Sequence, residues 1–305
     1  MERRQFVKNM AFGGASVVAL SSAGWLEERT KLTILHTNDT HSQIDPFPKN
    51  HPKYPGLGGI ERRKKLIDLI RSEERNILLL DAGDIFQGTP YFNIHGGELE
   101  LKLMSTLGYD AATIGNHDFD GGIDGFDRVL KHANFPFLCA NYNFENTLLK
   151  DKTKPYRIFY KDHLKIGIFG LGVELDGLVS PALFKETIYL DPLKKAQEIA
   201  TLLKEDEKCN LVICLSHLGY IPRLNKMCDT LLAIETSNID LILGGHTHTF
   251  MEKAEIHKNK IGQPVLINQV GFAGLMLGRI DFYFNKKGAI NLYADTVIKN
   301  NYSLS

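Results

Sequence analysis

Five short apolar runs in this chain each end in a knot of Asp, His or Asn, and that recurrence limits what the chain can fold into. Asn38-Asp39-Thr40-His41 follows the run at 32–37, and Asp81-Ala82-Gly83-Asp84 follows 77–80. Gly115-Asn116-His117-Asp118-Phe119-Asp120 follows 111–114. Ser216-His217 follows 211–215, and Gly244-Gly245-His246-Thr247-His248 follows 241–243. Apolar runs this short read as buried strands. Between them the spacing predicts helices at 59–71, 98–107, 126–132, 192–205 and 223–236. The first of these puts Ile60, Leu66, Ile67 and Ile70 inside and its charges outside. Further strands are expected at 137–140 and as a hairpin of 157–160 with 165–169. Beyond residue 250 the pattern is strand only, at 265–268, 275–284 and 290–297. Alternating strands and helices imply a largely parallel sheet, and the β-rich end implies a second sheet packed on it. The expected class is α/β. In such sheets ligands gather at the carboxyl ends of the strands, so the five knots predict one convergent site.

Composition narrows the chemistry. The 305 residues carry 36 basic and 36 acidic side chains, and 43% are hydrophobic. That excludes intrinsic disorder and a nucleic-acid polymer held by bulk charge. Four Cys without a CxxC pair make neither a disulfide framework nor a thiolate zinc site. Any metal must therefore be held by oxygen and imidazole, and 11 His are present. The start of the chain reads as an address. Arg3-Arg4-Gln5-Phe6-Val7-Lys8 resembles the twin-arginine pattern; an apolar run at 10–20 and Ser21, Ser22 and Ala23 follow. Residues 1–23 are thus expected to be an export signal to the periplasm, and 24–305 the catalytic domain. The apolar run is shorter than the ~20 residues of a membrane span, so no stable anchor is expected after cleavage.

The motifs, in order, resemble those of the calcineurin-like metallophosphoesterases. HTNDTH at 36–41, GDIFQGTP at 83–90, LGYDAATIGNHDFDGG at 107–122, LSHLGY at 215–220 and GGHTHTF at 244–250 are similar to the catalytic domain of the 5′-nucleotidase and UDP-sugar hydrolase family. The resemblance covers about residues 31–300. It implies a four-layer α/β/β/α fold, a β-sandwich of two mixed sheets flanked by helices. It also implies two divalent metal ions, with zinc, manganese, iron and cobalt all suited to nitrogen and oxygen ligands. One ion would take Asp39, His41, Asp84 and His248; the other would take Asp84, Asn116, His217 and His246. Two such charges ~3.5 Å apart repel by roughly 19 kcal/mol at an effective dielectric of 20, so the shared Asp84 carboxylate is needed between them. The implied reaction is attack on phosphorus by a hydroxide bridging the ions, with His117 and Asp120 as catalytic dyad. Two departures stand out: Asp118 occupies the usual place of a Glu, and the family's C-terminal nucleoside-binding domain has no counterpart before Ser305.

The function expected is an exported phosphomonoesterase of 5′-nucleotidase type acting on a small phosphate ester. The alternatives are a phosphodiesterase on cyclic nucleotides or nucleotide sugars, the catalytic subunit of a split enzyme whose substrate-binding domain lies on another chain, or a non-catalytic metal or phosphate binder. His117 and Asp120 speak against the last, since metal binding alone does not need them. Asp81 and Asp118 are expected to accept hydrogen bonds behind the ligands. His36 is expected inside a strand, and His51, His95, His132, His163 and His257 on helix or loop surfaces. Cys139 and Cys214 are expected as buried thiols in strands. The loop at 47–58, close in sequence to the first ligand pair, is a candidate wall of the substrate mouth.

Overall fold

From Leu32 to Thr37 every residue of the strand Thr30–Thr37 (β2) is buried. A strand with no wet face needs a layer on each side. A second sheet covers one face and helices cover the other. The computed structural model describes residues 16–19, 29–222 and 226–299. The export-signal reading of 1–23 lies outside the described residues except for Ser16–Ala19 (β1), which pairs antiparallel with the final strand.

The first sheet has the order β1, β14 (Ile290–Lys299), β13 (Met276–Phe284), β2, β3 (Ile77–Asp81) and β4 (Ala111–Ala112). β2, β3 and β4 run parallel, with Thr37 opposite Asp81. The second sheet has the order β11 (Glu255–Lys258), β12 (Pro264–Asn268), β10 (Leu241–Gly244), β9 (Leu211–Ser216), β7 (Leu164–Leu171) and β6 (Tyr156–Lys161). Its four inner strands are parallel, and its two edges are antiparallel. A short pair, β5 (Tyr142–Asn143) with β8 (Ile188–Tyr189), stands apart.

Period-two alternation sorts the strand residues into layers. Leu32, Ile34, Leu78 and Leu80 meet Ile166, Ile168, Ile213, Leu215 and Leu243 between the sheets. On the far side of the first sheet, Leu35 and Leu79 pack beneath α1 (Ile60–Glu73), α3 (Glu98–Leu107) and α4 (Gly122–Leu130), which follow α2 (Pro90–His95) in the case of α3 and α4. On the far side of the second sheet, Val212, Cys214 and Ile242 pack beneath α6 (Pro192–Thr201) and α7 (Asp229–Glu235); α5 (Pro181–Phe184) is a single turn. The result is the expected α/β/β/α order. His36 lies on the inter-sheet face and its Nε2–H donates to Asn268 Oδ1 at 2.8 Å, tying β2 to β12. Burial pulls its pKa down to about 4, against the opposing effect of that hydrogen bond.

Several expectations need correction. The β-rich end does not build the second sheet by itself: β11 and β12 extend the second, whereas β13 and β14 extend the first. Residues 137–140 form no strand, because their amides go to different partners: Leu138 to Ala112, Cys139 to Lys154, Ala140 to Gly170. Cys139 is therefore buried but not in a strand. The helix expected at 126–132 is Gly122–Leu130, starting at the paired glycines. The helix expected at 223–236 starts only at Asp229, after an extended Cys228 with φ −149°; residues 223–225 lie outside the described residues. Arg63 on α1 is buried, its guanidinium against Gly274, although charges were expected outside. His257 lies in β11. All four cysteines are free and buried.

Candidate metal centre

The carboxyl ends of β2, β3 and β4 in one sheet and of β9 and β10 in the other come together, and all seven candidate ligands meet there. The loop after β2 runs along the loop after β3: Asp39 N–H donates to Gly83 O at 2.9 Å, His41 N–H to Asp84 O at 3.1 Å, and Ser42 N–H to Ile85 O at 2.9 Å. This fixes backbone that is locally unfavourable. Asp39, His41, Asp84, His246 and His248 all have positive φ, between 48° and 71°. Non-glycine residues there cost about 1–3 kcal/mol each and persist only where the surroundings over-determine them. Gly115 is needed for contact: a Cβ there would lie 2.2 Å from Asp84 Oδ1.

Two groups of nitrogen and oxygen atoms form. Asp39, His41 and His248 make one; Asp84, His217 and His246 make the other. In the first, His41 Nε2 is 3.0 Å from His248 Nε2, and His248 Nε2 is 3.3 Å from Asp39 Oδ1. In the second, His217 Nε2 is 3.1 Å from Asp84 Oδ2, and Asn116 Oδ1 is 2.9 Å from His246 Nδ1. Asp84 Oδ2 also stands 3.9 Å from His41 Nε2, so one oxygen faces both groups.

These donors fit cations. His217 is fully buried, and its Nδ1–H donates to Ala82 O at 2.7 Å. Its Nε2 then faces the Asp84 carboxylate oxygen at 3.1 Å, and a positive charge is needed between the two. Without a metal a proton supplies it: burial lowers the His217 pKa, but the Asp84 charge more than offsets it, and the ring is pushed up to about 10. A cation bound there would take that proton's place. Asp84 is held well below the ordinary carboxylate range: burial raises it, and His217 and then His41 outweigh burial.

Asp118 is the anchor behind the ligands. Its carboxylate accepts from the amides of Gly115 at 2.8 Å, Asp84 at 3.1 Å, Ile85 at 2.9 Å and Phe86 at 3.2 Å. Burial and the neighbouring Asp84 charge push it up to about 7 against those donors. Asp81 accepts from Gly83 N–H at 2.9 Å and Thr37 Oγ1–H at 2.5 Å. His117 stands at the rim, its side chain 39% exposed. Its amide donates to Asp84 Oδ1 at 2.8 Å and its Nδ1 meets Asp120 Oδ2 at 2.8 Å. That hydrogen bond, more than the opposing burial, raises the ring's pKa. With Nδ1–H engaged, Nε2 is available to a ligand. Asp120 closes the short 3-10 turn His117–Phe119 through its amide, which donates to His117 O at 3.1 Å, and Gly121, not Asp120, is the N-cap of α4.

Sequence reasoning missed three supports. Asn38 donates to Asp39 Oδ2 at 2.6 Å and to Gly271 O at 2.6 Å, and accepts from Val270 N–H at 2.9 Å. Gln269 donates to Gly245 O at 2.7 Å. Phe272 stacks on His248, with centroids 5.1 Å apart and planes 14° from parallel. Asn38 lies within a motif already noted and could have been found; Gln269 and Phe272 carry no local signal.

Residues 32–250 match the family described as calcineurin-like phosphoesterase. The chain is 34% identical over 291 residues to the trifunctional nucleotide phosphoesterase protein YfkN of Bacillus subtilis, covering 85% of this chain and 18% of that one. It is 33% identical over 281 residues to the snake venom 5′-nucleotidase of Crotalus adamanteus, covering 85% and 46%. The crystal structure of a 5′-nucleotidase precursor from Thermus thermophilus superposes with a TM-score of 0.80 at 31% identity, covering 89% and 55%. The chain thus spans about half or less of the length of these relatives.

Proposed function

The chain belongs to the calcineurin-like phosphoesterase family, and from that premise we propose that it is an exported, dinuclear metal-dependent phosphomonoesterase of 5′-nucleotidase type. The observation that carries the proposal is Asp84, whose one carboxylate oxygen faces both ligand groups while its other oxygen accepts from the amide of His117. Asp39, His41, Asp84 and His248 would hold one divalent ion, and Asp84, Asn116, His217 and His246 the other. When bound, two such ions supply Lewis acidity and bring a water's pKa from 15.7 to about 7.

The chain's own residues do the rest. The buried ligands would hold the ions rigidly, because Asp118 and Ala82 fix Asp84 and His217 from behind. In its protonated form His117 offers Nε2–H and the imidazolium charge to a phosphoryl oxygen, and Asp120 sets its orientation and favours that form. The metal is one of zinc, manganese, iron or cobalt. The names of the relatives support a nucleotide ester as substrate. A separate chain carrying a nucleoside-binding domain is a proposed partner, and co-purification under mild conditions tests it.

The test is phosphate release by the purified chain from monoesters, cyclic nucleotides and nucleotide sugars, with each metal added in turn. Turnover of monoesters is expected. Exclusive turnover of diesters would replace the reading with a phosphodiesterase, and no turnover of any ester with any metal would remove it. Export by the twin-arginine route is proposed from Arg3 and Arg4; undiminished export of an Arg3→Lys, Arg4→Lys variant would reassign the signal to the general route.

A further inference from the structure

His248 is not the end of the row of rings that begins at the dyad. The His117 and His41 centroids are 5.2 Å apart, and those of His41 and His248 are 5.0 Å apart. Phe272 then stacks on His248. Phe272 meets Tyr54 edge to face at 5.7 Å and Phe250 edge to face at 5.9 Å. Tyr54 and Phe250 are themselves 6.4 Å apart and only 30° from parallel. Tyr54 belongs to the loop at 47–58, and Phe250 and Phe272 belong to the segments after β10 and β12. Three segments distant in sequence therefore converge on one aromatic face that abuts the candidate ligand His248.

That face is not a hydrophobic core. Phe250 is 40% exposed, Tyr54 and Phe272 are only partly buried, and the His248 side chain is 40% exposed. Phe250 packs closely on Gly271, where a Cβ would fall 2.2 Å from its ring, and it keeps 40% of its surface exposed. Tyr54 is fixed in turn from behind, its amide donating to His51 Nδ1 at 2.9 Å and its ring stacked on that imidazole. Exposed aromatic rings held in place beside a polar centre suit a ligand that is charged at one end and flat at the other.

We propose that Tyr54 and Phe250, with Phe272 between them, bind the flat ring of the ester's leaving group, so that the substrates are phosphate monoesters of nucleosides or other ring-bearing alcohols. The inference rests on the phosphomonoesterase reading and adds a specificity element within this chain itself. Stacking tolerates any ring, so the face selects for the presence of a base and not for its identity.

AMP and ribose 5-phosphate share the same primary ester and differ by the base, and they isolate the effect. The wild-type chain is expected to show kcat/KM for AMP about 5- to 150-fold above that for ribose 5-phosphate, the range spanned by base–aromatic stacking. The difference should reside in KM. A Tyr54→Ala, Phe250→Ala variant should bring the ratio close to one while keeping ribose 5-phosphate turnover, metal content and Tm; Tyr54→Phe should retain the preference. A readout free of turnover is calorimetric binding, in which AMP should bind at least about fivefold more tightly than ribose 5-phosphate and lose that advantage in the double variant. Equal wild-type values for the two ligands, or a preference that survives the double variant, overturn the inference. The second result would place base recognition on other residues. Absence of phosphate release with both esters counts against the phosphomonoesterase reading, and the binding ratio then decides the inference by itself.

Discussion

The two ligand groups are built from the same residue types, yet they stand in unlike surroundings. In the deep group His217 is fully buried and Asp84 is 2% exposed. Each is fixed from behind, by the Ala82 carbonyl and by His117's amide, and the Asp84 backbone is held by Asp118. In the outer group Asp39 is buried, but His41 is 13% and His248 40% exposed. All three outer residues have left-handed backbone, against Asp84 and His246 in the deep group. The comparison teaches that a symmetrical pair of motifs yields an asymmetric centre. The deep ion would be held by burial and rigid donors, the outer ion by an open cluster that substrate and solvent can reach.

The largest expected effect comes from the one residue common to both groups. Asp84→Ala should leave less than one ion per chain by elemental analysis and reduce phosphate release to background. Retention of two ions would show that the groups are independent and that the comparison has no shared member.

Next in size is a residue that belongs to neither group. His117→Ala should keep both ions and lower kcat by about 10²–10³, the cost of removing one charge-stabilising donor. Asp120→Asn should cost less, because Asp120 touches His117 and acts on the phosphoryl group only through it. Full activity in His117→Ala would confine the chemistry to the two ligand groups.

The smallest effect is the most direct test of the asymmetry. A chelator should remove the ions in two phases, the outer one first, with activity lost in the first phase. His248→Ala should abolish the fast phase and leave about one ion bound. Loss of both ions in a single phase would mean that exposure does not set the order of release.

The seven candidate ligands were legible because each sits where a short apolar run stops, and strand ends can be read locally. The layers were legible for the same reason. What was not legible depended on partners far along the chain. Residues 137–140 have the composition of a strand, but their amides are divided among three other segments and no ladder forms. Nothing local says that 255–268 joins one sheet and 276–299 the other, since both read simply as strand. Asn38 is tied to Gly271 and Val270 from more than 230 positions away. The aromatic face is hidden for the same reason: Tyr54, Phe250 and Phe272 become neighbours only after the two sheets have brought their loops together.

The burial of His36 between the sheets sets an acid limit on the sandwich, one that its hydrogen bond to Asn268 only partly offsets. His36 is wholly buried between the sheets, and its Nδ1 has no partner. Unfolded, the ring accepts a proton below its ordinary value of 6.5; folded, it does so only near 4. Stability from this residue is therefore intact above pH 6.5 and is lost as pH falls through the interval to about 4, by roughly 3 kcal/mol in all. Acid thus works on the seam between the sheets, away from the candidate metal ligands, and the metal-free chain should show it. His36→Gln, which keeps a donor for Asn268 but cannot take up the proton, should flatten the decline in urea-unfolding stability across that interval. An unchanged slope would move the acid sensitivity elsewhere in the molecule.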